Sequence, residues 1–178
     1  AVLAVWRVPE YKSADLPALT FLATILGGGE SSRFNRSIVR GSKAALAVQP
    51  LLNILGPTRG PGLFGALGIA NQGVTPDALE RQILAEVRKV ADEGVTEAEL
   101  AKAKNAFVAG KIDELQTAMG RAEAIHTANT FLGDPNAVNS DLQRYMAVTT
   151  ADIQRVAKQY LTDKNSVITL ITPETPKP

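Results

Sequence analysis

The first forty residues change from a strand-like to a helical pattern of apolar positions. Residues 2–8 are mostly β-branched, aromatic or aliphatic, and they stop at Pro9, which has no amide hydrogen for a strand ladder. Helical spacing begins after Asp15 and ends at Gly27-Gly28-Gly29, because glycine permits a left-handed C-cap. The apolar positions with this spacing are Leu16, Leu19, Leu22, Ala23 and Leu26. A strand followed by a helix packed through one face is therefore predicted.

A short helix and a hairpin are predicted next. Ser31 can cap a helix that ends at Arg40, just before a glycine. Its inward positions are Phe34, Ile38 and Val39. Two apolar stretches, 44–55 and 63–70, flank a loop rich in glycine and proline, which predicts a long β-hairpin. Pro50 in the first of these strands predicts a sheet edge or a bulge.

Two helices with strong start signals follow the hairpin. Thr75-Pro76 starts the first, because proline at the first helical position loses only an amide that would lack a partner anyway, and Gly94 ends it. Thr96 and Glu99 fit a capping box, in which each side chain binds the other residue's backbone amide. We expect this second helix to reach about Met119.

The remaining elements are helical until a final strand. Residues 121–132 predict another helix, which restarts after Asp134-Pro135. Thr149 or Thr150 caps the last helix, and residues 166–171 form the final strand. The order of strand, two helices, two strands, several helices and strand predicts an α+β domain. Its sheet is mixed but largely antiparallel, with helices packed on one face.

One domain accounts for the whole length. We assign it to residues 1–172 and assign 173–178, which contain three prolines, to a C-terminal tail. The first residues lack a methionine and a charged leader, so we expect a piece of a longer protein that begins inside a strand. Apolar runs are too short for a membrane span, which predicts a soluble chain.

Charge and cysteine content exclude several classes of function. The chain has 19 basic and 18 acidic residues, interspersed along the sequence, so nucleic acid is not an expected partner. Cysteine is absent, which removes disulfides, thiolate metal ligands and a cysteine nucleophile. The triple glycine follows a helix and lacks a subsequent Gly-Lys-Ser/Thr, and the loop at 56–62 lacks these features too. No nucleotide cofactor is expected.

Three signals occur together at characteristic separations: ILGGGESSRF at 25–34, IVR at 38–40 and VTEAELAKAK at 95–104. With the order of elements, they resemble the C-terminal domain of pitrilysin/insulinase-type zinc metallopeptidases over nearly the whole chain. The resemblance implies a clamshell of two related halves, of which the first carries an inverted His-x-x-Glu-His zinc motif and the second lacks it. This chain resembles the second half, so zinc is expected in an N-terminal half outside this sequence.

The residues themselves agree with a non-catalytic chain. Zinc hydrolases need several imidazole, thiolate or carboxylate ligands, and His126 is the only histidine. We interpret His126 as a packed or helix-surface polar residue, without a ligand role. Glu97 and Glu99 suit helix capping and the helix dipole better than catalysis. We therefore predict no catalytic and no metal-binding residue in this chain.

One site residue is carried over from the resemblance. In the family, the inactive half supplies an arginine and a following tyrosine that hold the substrate backbone, and the arginine corresponds to Arg40. The tyrosine is missing, since residues 43–47 read KAALA and end at Ala47. Arg40 is therefore a candidate substrate-binding residue, with a solvated helix-end cation as the alternative. A second homologous chain that supplies an Arg/Tyr pair would explain the loss.

The predicted function is that of a non-catalytic C-terminal domain of a zinc endopeptidase, which helps enclose and bind a peptide substrate. The alternative is a structural subunit of the same superfamily without proteolytic activity, and an unrelated α+β ligand-binding domain is a third possibility. The partners expected are the N-terminal half, a second chain and a peptide. We also expect an exposed apolar face on the hairpin or the helix at 31–40. The resemblance favours a bacterial periplasmic or otherwise exported protein.

Overall fold

The computed structural model describes residues 1–53 and 56–172. Its strands are β1 (Val2–Val8), β2 (Ala45–Leu52), β3 (Gly62–Ala70) and β4 (Ser166–Leu170). Its α-helices are α1 (Leu16–Gly27), α2 (Pro76–Glu93), α3 (Glu97–Gln116), α4 (Ala118–Thr127), α5 (Asp141–Met146) and α6 (Thr150–Tyr160). The predicted tail at 173–178 and residues 54–55 of the predicted hairpin lie outside the described residues.

Within the described residues the four strands form one sheet in the order β2-β3-β1-β4. Every pairing is antiparallel, and β2 and β4 are the edge strands. Along β1 the residues Val2, Ala4, Trp6 and Val8 are buried and alternate with more exposed neighbours. This alternation places α1, α2 and α6 against one face of the sheet, so the predicted α+β class with helices on one face is confirmed.

The core lies between that sheet face and the helices. Trp6 and Phe64, on neighbouring strands, meet edge to face with ring centroids 6.3 Å apart, and both are fully buried. Helix α2 lies so close to β3 that a Cβ added to Gly68 would lie 2.8 Å from Ile83 Cδ1. Glycine at this position therefore lets the helix approach the strand, a reason for a strand glycine that the sequence pattern alone does not show.

Most helix boundaries predicted from local signals are confirmed. Thr75 caps α2 through the amide of Ala78, and Gly94 ends this helix with a positive φ of 77°. The capping box of α3 is present, because Thr96 and Glu99 each accept from the other's backbone amide. Thr149 is the residue that caps α6, also through a capping box. Such signals act within one helical turn, which explains why they can be located from sequence.

Three predictions of local structure are corrected. The segment predicted as a helix from Ser31 to Arg40 is largely a π-helical turn at Asn35–Gly41, and Ser31 does not cap it. The long helix α3 ends before Met119, because Thr117 has extended backbone angles and caps α4. The edge position of β2 is confirmed, whereas its register shift lies between Ala45 and Ala47 instead of at Pro50.

The corner between α3 and α4 is tight. A Cβ on Gly120 would overlap the backbone carbonyl oxygen of Glu114, so only glycine allows the two helices to meet this closely. After α4 the backbone widens into a π-helical turn at Ala128–Leu132, and Gly133 ends it in the left-handed region. A 3₁₀ turn at Pro135–Asn139 then leads to α5. These short elements form a helical layer beside α1 and the aromatic end of the core.

Candidate substrate-binding surface

Arg40 lies on the π-helical turn between α1 and β2. The widened backbone is visible in the bond from the amide of Ser42 to the carbonyl of Ser37, five residues earlier, at 2.9 Å. Phe34 and Ile38 anchor the turn in the core, with 0% and 1% exposure. The Arg40 side chain is 61% exposed. A rigid base thus carries a cation into solvent, and π-helical turns often occur at functional sites.

The guanidinium of Arg40 has one carboxylate partner among the described residues. Its Nη2 donates to Glu30 Oε2 at 2.5 Å, and Glu30 is 82% exposed. Exposed ion pairs of this kind contribute only about 0–1 kcal/mol, because water screens the charges and both side chains lose freedom. A ligand carboxylate or peptide carbonyl could therefore replace Glu30 at small cost. The sequence resemblance located Arg40, whereas Glu30 as its partner was not predicted.

A second arginine, Arg33, fixes the loop that precedes this turn. Its Nε and Nη2 donate to the two carboxylate oxygens of Glu99, each at 2.8 Å, and Nη2 also donates to the carbonyl of Gly94 at 3.0 Å. Arg33 is only 13% exposed. Paired, charge-assisted bonds with this geometry are among the stronger polar contacts in proteins. The glycine-rich loop is therefore attached to the start of α3.

The electrostatics of Glu99 reflect this contact. The hydrogen bond from Arg33 lowers the pKa of Glu99 from 4.5 to about 2, and the amide and hydroxyl of Thr96 contribute in the same direction. The carboxylate also raises the pKa of Arg33 above its ordinary value. The sequence predicts only a capping role for Glu99, and in the structure Glu99 both caps α3 and forms the ion pair with Arg33. No local signal links positions 33 and 99, which are 66 residues apart.

Strand β2 carries the position of the missing tyrosine. Ala47 pairs with Ile69, and the register shift before it leaves Leu46 unpaired and 64% exposed. The three tyrosines of the chain lie after β1, in α5 and in α6. Tyr11 and Tyr145 line a pocket with Leu52 at the other end of β2, five residues beyond Ala47. The structure therefore brings no phenol to the segment after Arg40. As an edge strand, β2 still presents backbone groups that could pair with an extended peptide.

The sheet face away from the helices is apolar and partly exposed. Its register aligns Leu3 with Leu67, and Val5 with Val167. Among its outermost members, Leu63 is 42%, Ile69 48% and Val167 70% exposed. Exposed apolar side chains gathered on one face of a sheet commonly mark a contact surface. The prediction of an exposed apolar face on the hairpin agrees with Leu46, Leu63 and Ile69, whereas Phe34 and Ile38 of the other candidate segment are buried.

The donor set does not fit a catalytic zinc ion. Across residues 1–53 and 56–172, no group of three or more His, Cys, Asp or Glu side chains is placed to hold a metal ion. His126 lies on the exposed surface of α4, without a second imidazole in the sequence. No helix in the described part of the chain is both long and apolar enough to cross a membrane.

Comparison with known proteins places these observations in a family. A zinc protease of Helicobacter pylori named PqqE is 26% identical over 168 residues, which cover 94% of this chain and 37% of that protein. The chain thus spans little more than a third of this curated relative. The inactive peptidase domain of a Bordetella parapertussis protein has the same fold, with a TM-score of 0.83 at 23% identity over 98% of this chain and 93% of that one.

A more distant structure has the same architecture. The periplasmic protease PqqL of Escherichia coli matches with a TM-score of 0.76 and 17% identity, over 97% of this chain and 19% of that protein. Residues 1–107, more than half of the chain, match the family described as the peptidase M16 inactive domain. M16 is the pitrilysin/insulinase family, so the predicted resemblance is confirmed: this chain belongs to the inactive-domain family of the M16 peptidases.

Proposed function

We propose that the chain is the non-catalytic C-terminal domain of a zinc-dependent endopeptidase and helps to enclose a peptide substrate. The observation that carries this proposal is the match of residues 1–107 to the inactive M16 domain. The similarity to an H. pylori zinc protease supports a proteolytic parent. In this proposal an N-terminal half binds zinc, and residues 1–172 form the domain that packs against it. The segment 173–178 is proposed to be a tail.

The proposed contribution of this chain is substrate binding. Arg40 has a planar guanidinium with several donors, which suits a peptide carbonyl or a terminal carboxylate once Glu30 is displaced. The neighbouring edge strand β2 offers backbone groups, and the apolar sheet face offers area for side chains or for the N-terminal half. Ala47 cannot donate the second hydrogen bond, so a homologous second chain is proposed to supply an Arg/Tyr pair.

A structural subunit without proteolysis is the second candidate, and the presence of Ala47 where the family has a tyrosine favours it.

We also propose that the parent is exported to the periplasm. The E. coli protease with this fold is periplasmic, which supports that location without assigning it to this chain. Fractionation of the parent's host cells, with known cytoplasmic and periplasmic markers, tests the location. Recovery with the cytoplasmic marker would contradict it.

The decisive experiment compares this 178-residue chain with its full-length parent. Zinc content and hydrolysis of an unstructured reporter peptide are measured for both, with and without chelator. Zinc and chelator-sensitive cleavage in the parent alone support the proposal. Zinc-free parent protein that is inactive also with its homologous partner chain supports the structural alternative. Metal-dependent cleavage by the short chain would overturn the non-catalytic assignment.

The role of Arg40 is tested in the same parent enzyme. Loss of one charge-assisted hydrogen bond costs about 1.5–3 kcal/mol, so Arg40→Gln is expected to raise KM about tenfold or more, with a smaller change in kcat. Arg36→Gln is the matched control, because Arg36 lies on the same turn and its side chain is also 61% exposed. Equal kinetic effects of the two substitutions would show that Arg40 has no specific contact with substrate.

A further inference from the structure

A cavity of about 430 Å³ lies in the helical layer, between α3, α4 and α5. Its apolar lining includes Tyr11, Phe107, Leu115, Leu132 and Leu142. Three further apolar side chains on the same helices, Ile112, Met119 and Ile125, are 57%, 69% and 46% exposed. Most of the lining lies beyond residue 107, outside the part of the chain that matches the family. The cavity is thus a separate feature from the surface around Arg40.

The cavity has a fixed frame. The tight corner at Gly120 sets the angle between α3 and α4. Near the lining residue Leu132, Arg59 of the hairpin loop donates twice to the carbonyl of Thr130, at 3.2 and 3.1 Å. The rings of Tyr11 and Phe131 pack with centroids 5.5 Å apart. These contacts fix residues of the cavity wall and their neighbours, so a ligand would enter a site that already exists and would meet a small ordering cost.

The charged residues at the cavity are mostly acidic. Lys111 is paired with Glu114 at 2.7 Å, which leaves no net charge at that position. Glu123 has no ion-pair partner among the described residues, although it also lines the cavity. Asp141 Oδ1 lies 3.4 Å from Arg144 and accepts no hydrogen bond within the described part of the chain. Asp141 and Glu114 are thus paired with cations, and the exposed Glu123 is the lining carboxylate without an ion-pair partner among the described residues. An apolar interior beside this carboxylate complements a ligand with an apolar body and a cationic group.

We propose that this cavity binds a peptide segment in which a large apolar side chain is followed by lysine or arginine. The apolar side chain enters between Phe107 and Leu142, and the cation lies beside Glu123. Ligand sites typically measure about 300–1,000 Å³, so this volume suits one or two side chains of an extended peptide. The inference rests on the proposed function only for its source of ligand, a substrate peptide, and it places a second contact away from Arg40.

The test measures binding to the 178-residue chain directly. The probe is a fluorescein-labelled Gly-Gly-Phe-Arg-Gly-Gly peptide, followed by fluorescence anisotropy. We expect saturable binding that weakens at least tenfold in Ala124→Trp, which fills the cavity, and stays unchanged in Ala122→Trp. Ala124 lines the cavity, whereas Ala122 is an exposed residue of the same helix. Equal binding by both tryptophan variants, or no saturable binding of the peptide, would overturn the proposal.

Further variants separate the apolar from the charged contribution and guard against misfolding. Glu123→Gln should weaken binding about two- to fivefold, the range of an exposed ion pair, and Glu93→Gln on α2 should not change it. Leu142→Ala provides a second cavity variant if circular dichroism shows that Ala124→Trp is unfolded, with about threefold or greater weakening expected. A peptide with Phe replaced by Ala should not bind. Tight binding of that peptide would contradict an apolar side-chain site.

Two controls identify the source of the ligand. Free phenethylamine has an apolar body and a cation but no peptide backbone, and it should bind more weakly than the peptide. Stronger binding of phenethylamine would refute a peptide site in favour of a small-molecule site. The measurement needs neither zinc nor the N-terminal half. Peptide binding by this chain, together with a zinc-free parent that is inactive also with its homologous partner chain, would therefore refute the proposed protease and leave the cavity assignment intact.

Discussion

The contact between Arg33 and Glu99 gives a quantitative prediction. Replacing Arg33 by methionine keeps much of the side chain's length and removes the guanidinium that holds the carboxylate. Each tenfold change in proton affinity is worth about 1.4 kcal/mol, so the fall in the Glu99 pKa from 4.5 to about 2 corresponds to about 3 kcal/mol. Thr96 supplies part of this effect through its hydrogen bonds. We therefore expect Arg33→Met to lower the free energy of unfolding by about 2 kcal/mol at pH 7.

The same contact predicts how stability changes with pH. The pKa of Glu99 is lower in the folded chain than in the unfolded chain, so its contribution is fully present above about pH 4.5 and is lost as the pH falls towards about 2. The Arg33→Met variant should lose less stability over this interval than the original chain. Urea unfolding at pH 7, 4 and 3, followed by circular dichroism, measures the difference.

A control and a refuting result complete this test. Arg36→Met removes an exposed cation whose Nη2 is 3.7 Å from the same carboxylate, and it should change stability by less than about 1 kcal/mol. If Arg33→Met loses as much stability at pH 3 as at pH 7, its stability falls with pH as steeply as that of the original chain. The hydrogen bond from Arg33 then does not set the pKa of Glu99. The stability effect would then arise from packing.

Three further predictions follow from backbone and capping geometry. Thr96→Ala should cost about 0.5–2 kcal/mol, seen as a lower urea midpoint, while Thr96→Asp should restore most of it. Gly68→Val should lower the free energy of unfolding by about 1–3 kcal/mol or more, because even a Cβ would lie 2.8 Å from Ile83 Cδ1. Thermal unfolding measures this loss, and an unchanged Tm would refute the close approach of α2 to β3. Gly120→Ala should increase amide exchange in α4 more than in α2, since its Cβ would overlap the Glu114 carbonyl.

The parts of the fold that were predictable depend on neighbouring residues. The capping boxes at Thr96 and Thr149, the start of α2 at Thr75 and the alternation in β1 all arise from contacts within a few positions. Pro50 indicated an edge strand because it cannot donate to a second neighbour, and β2 is an edge strand. Summed along the chain, these local signals are enough to define the α+β class.

The parts that were not predictable depend on distant residues or on small differences in backbone energy. Apolar spacing does not distinguish a π-helical turn from an α-helical one, so the segment that carries Arg40 was assigned the wrong geometry. The register shift at Leu46 depends on how β2 pairs with β3. Arg33 was not identified, because its partners lie after α2 and in α3. The cavity at Glu123 likewise exists only once three helices have packed.

The direction in which the Arg40 side chain points depends on the number of residues in the π-helical turn. Successive residues of an α-helix point about 100° apart around its axis. The π-helical turn at Asn35–Gly41 holds one residue more per hydrogen-bonded turn than an α-helix does. Deletion of a single residue there would let the backbone relax to α-helical pitch and rotate Arg40 away from its present direction, with the composition otherwise intact. Homologues that differ by one residue in this segment should therefore present a different side chain to the same surface.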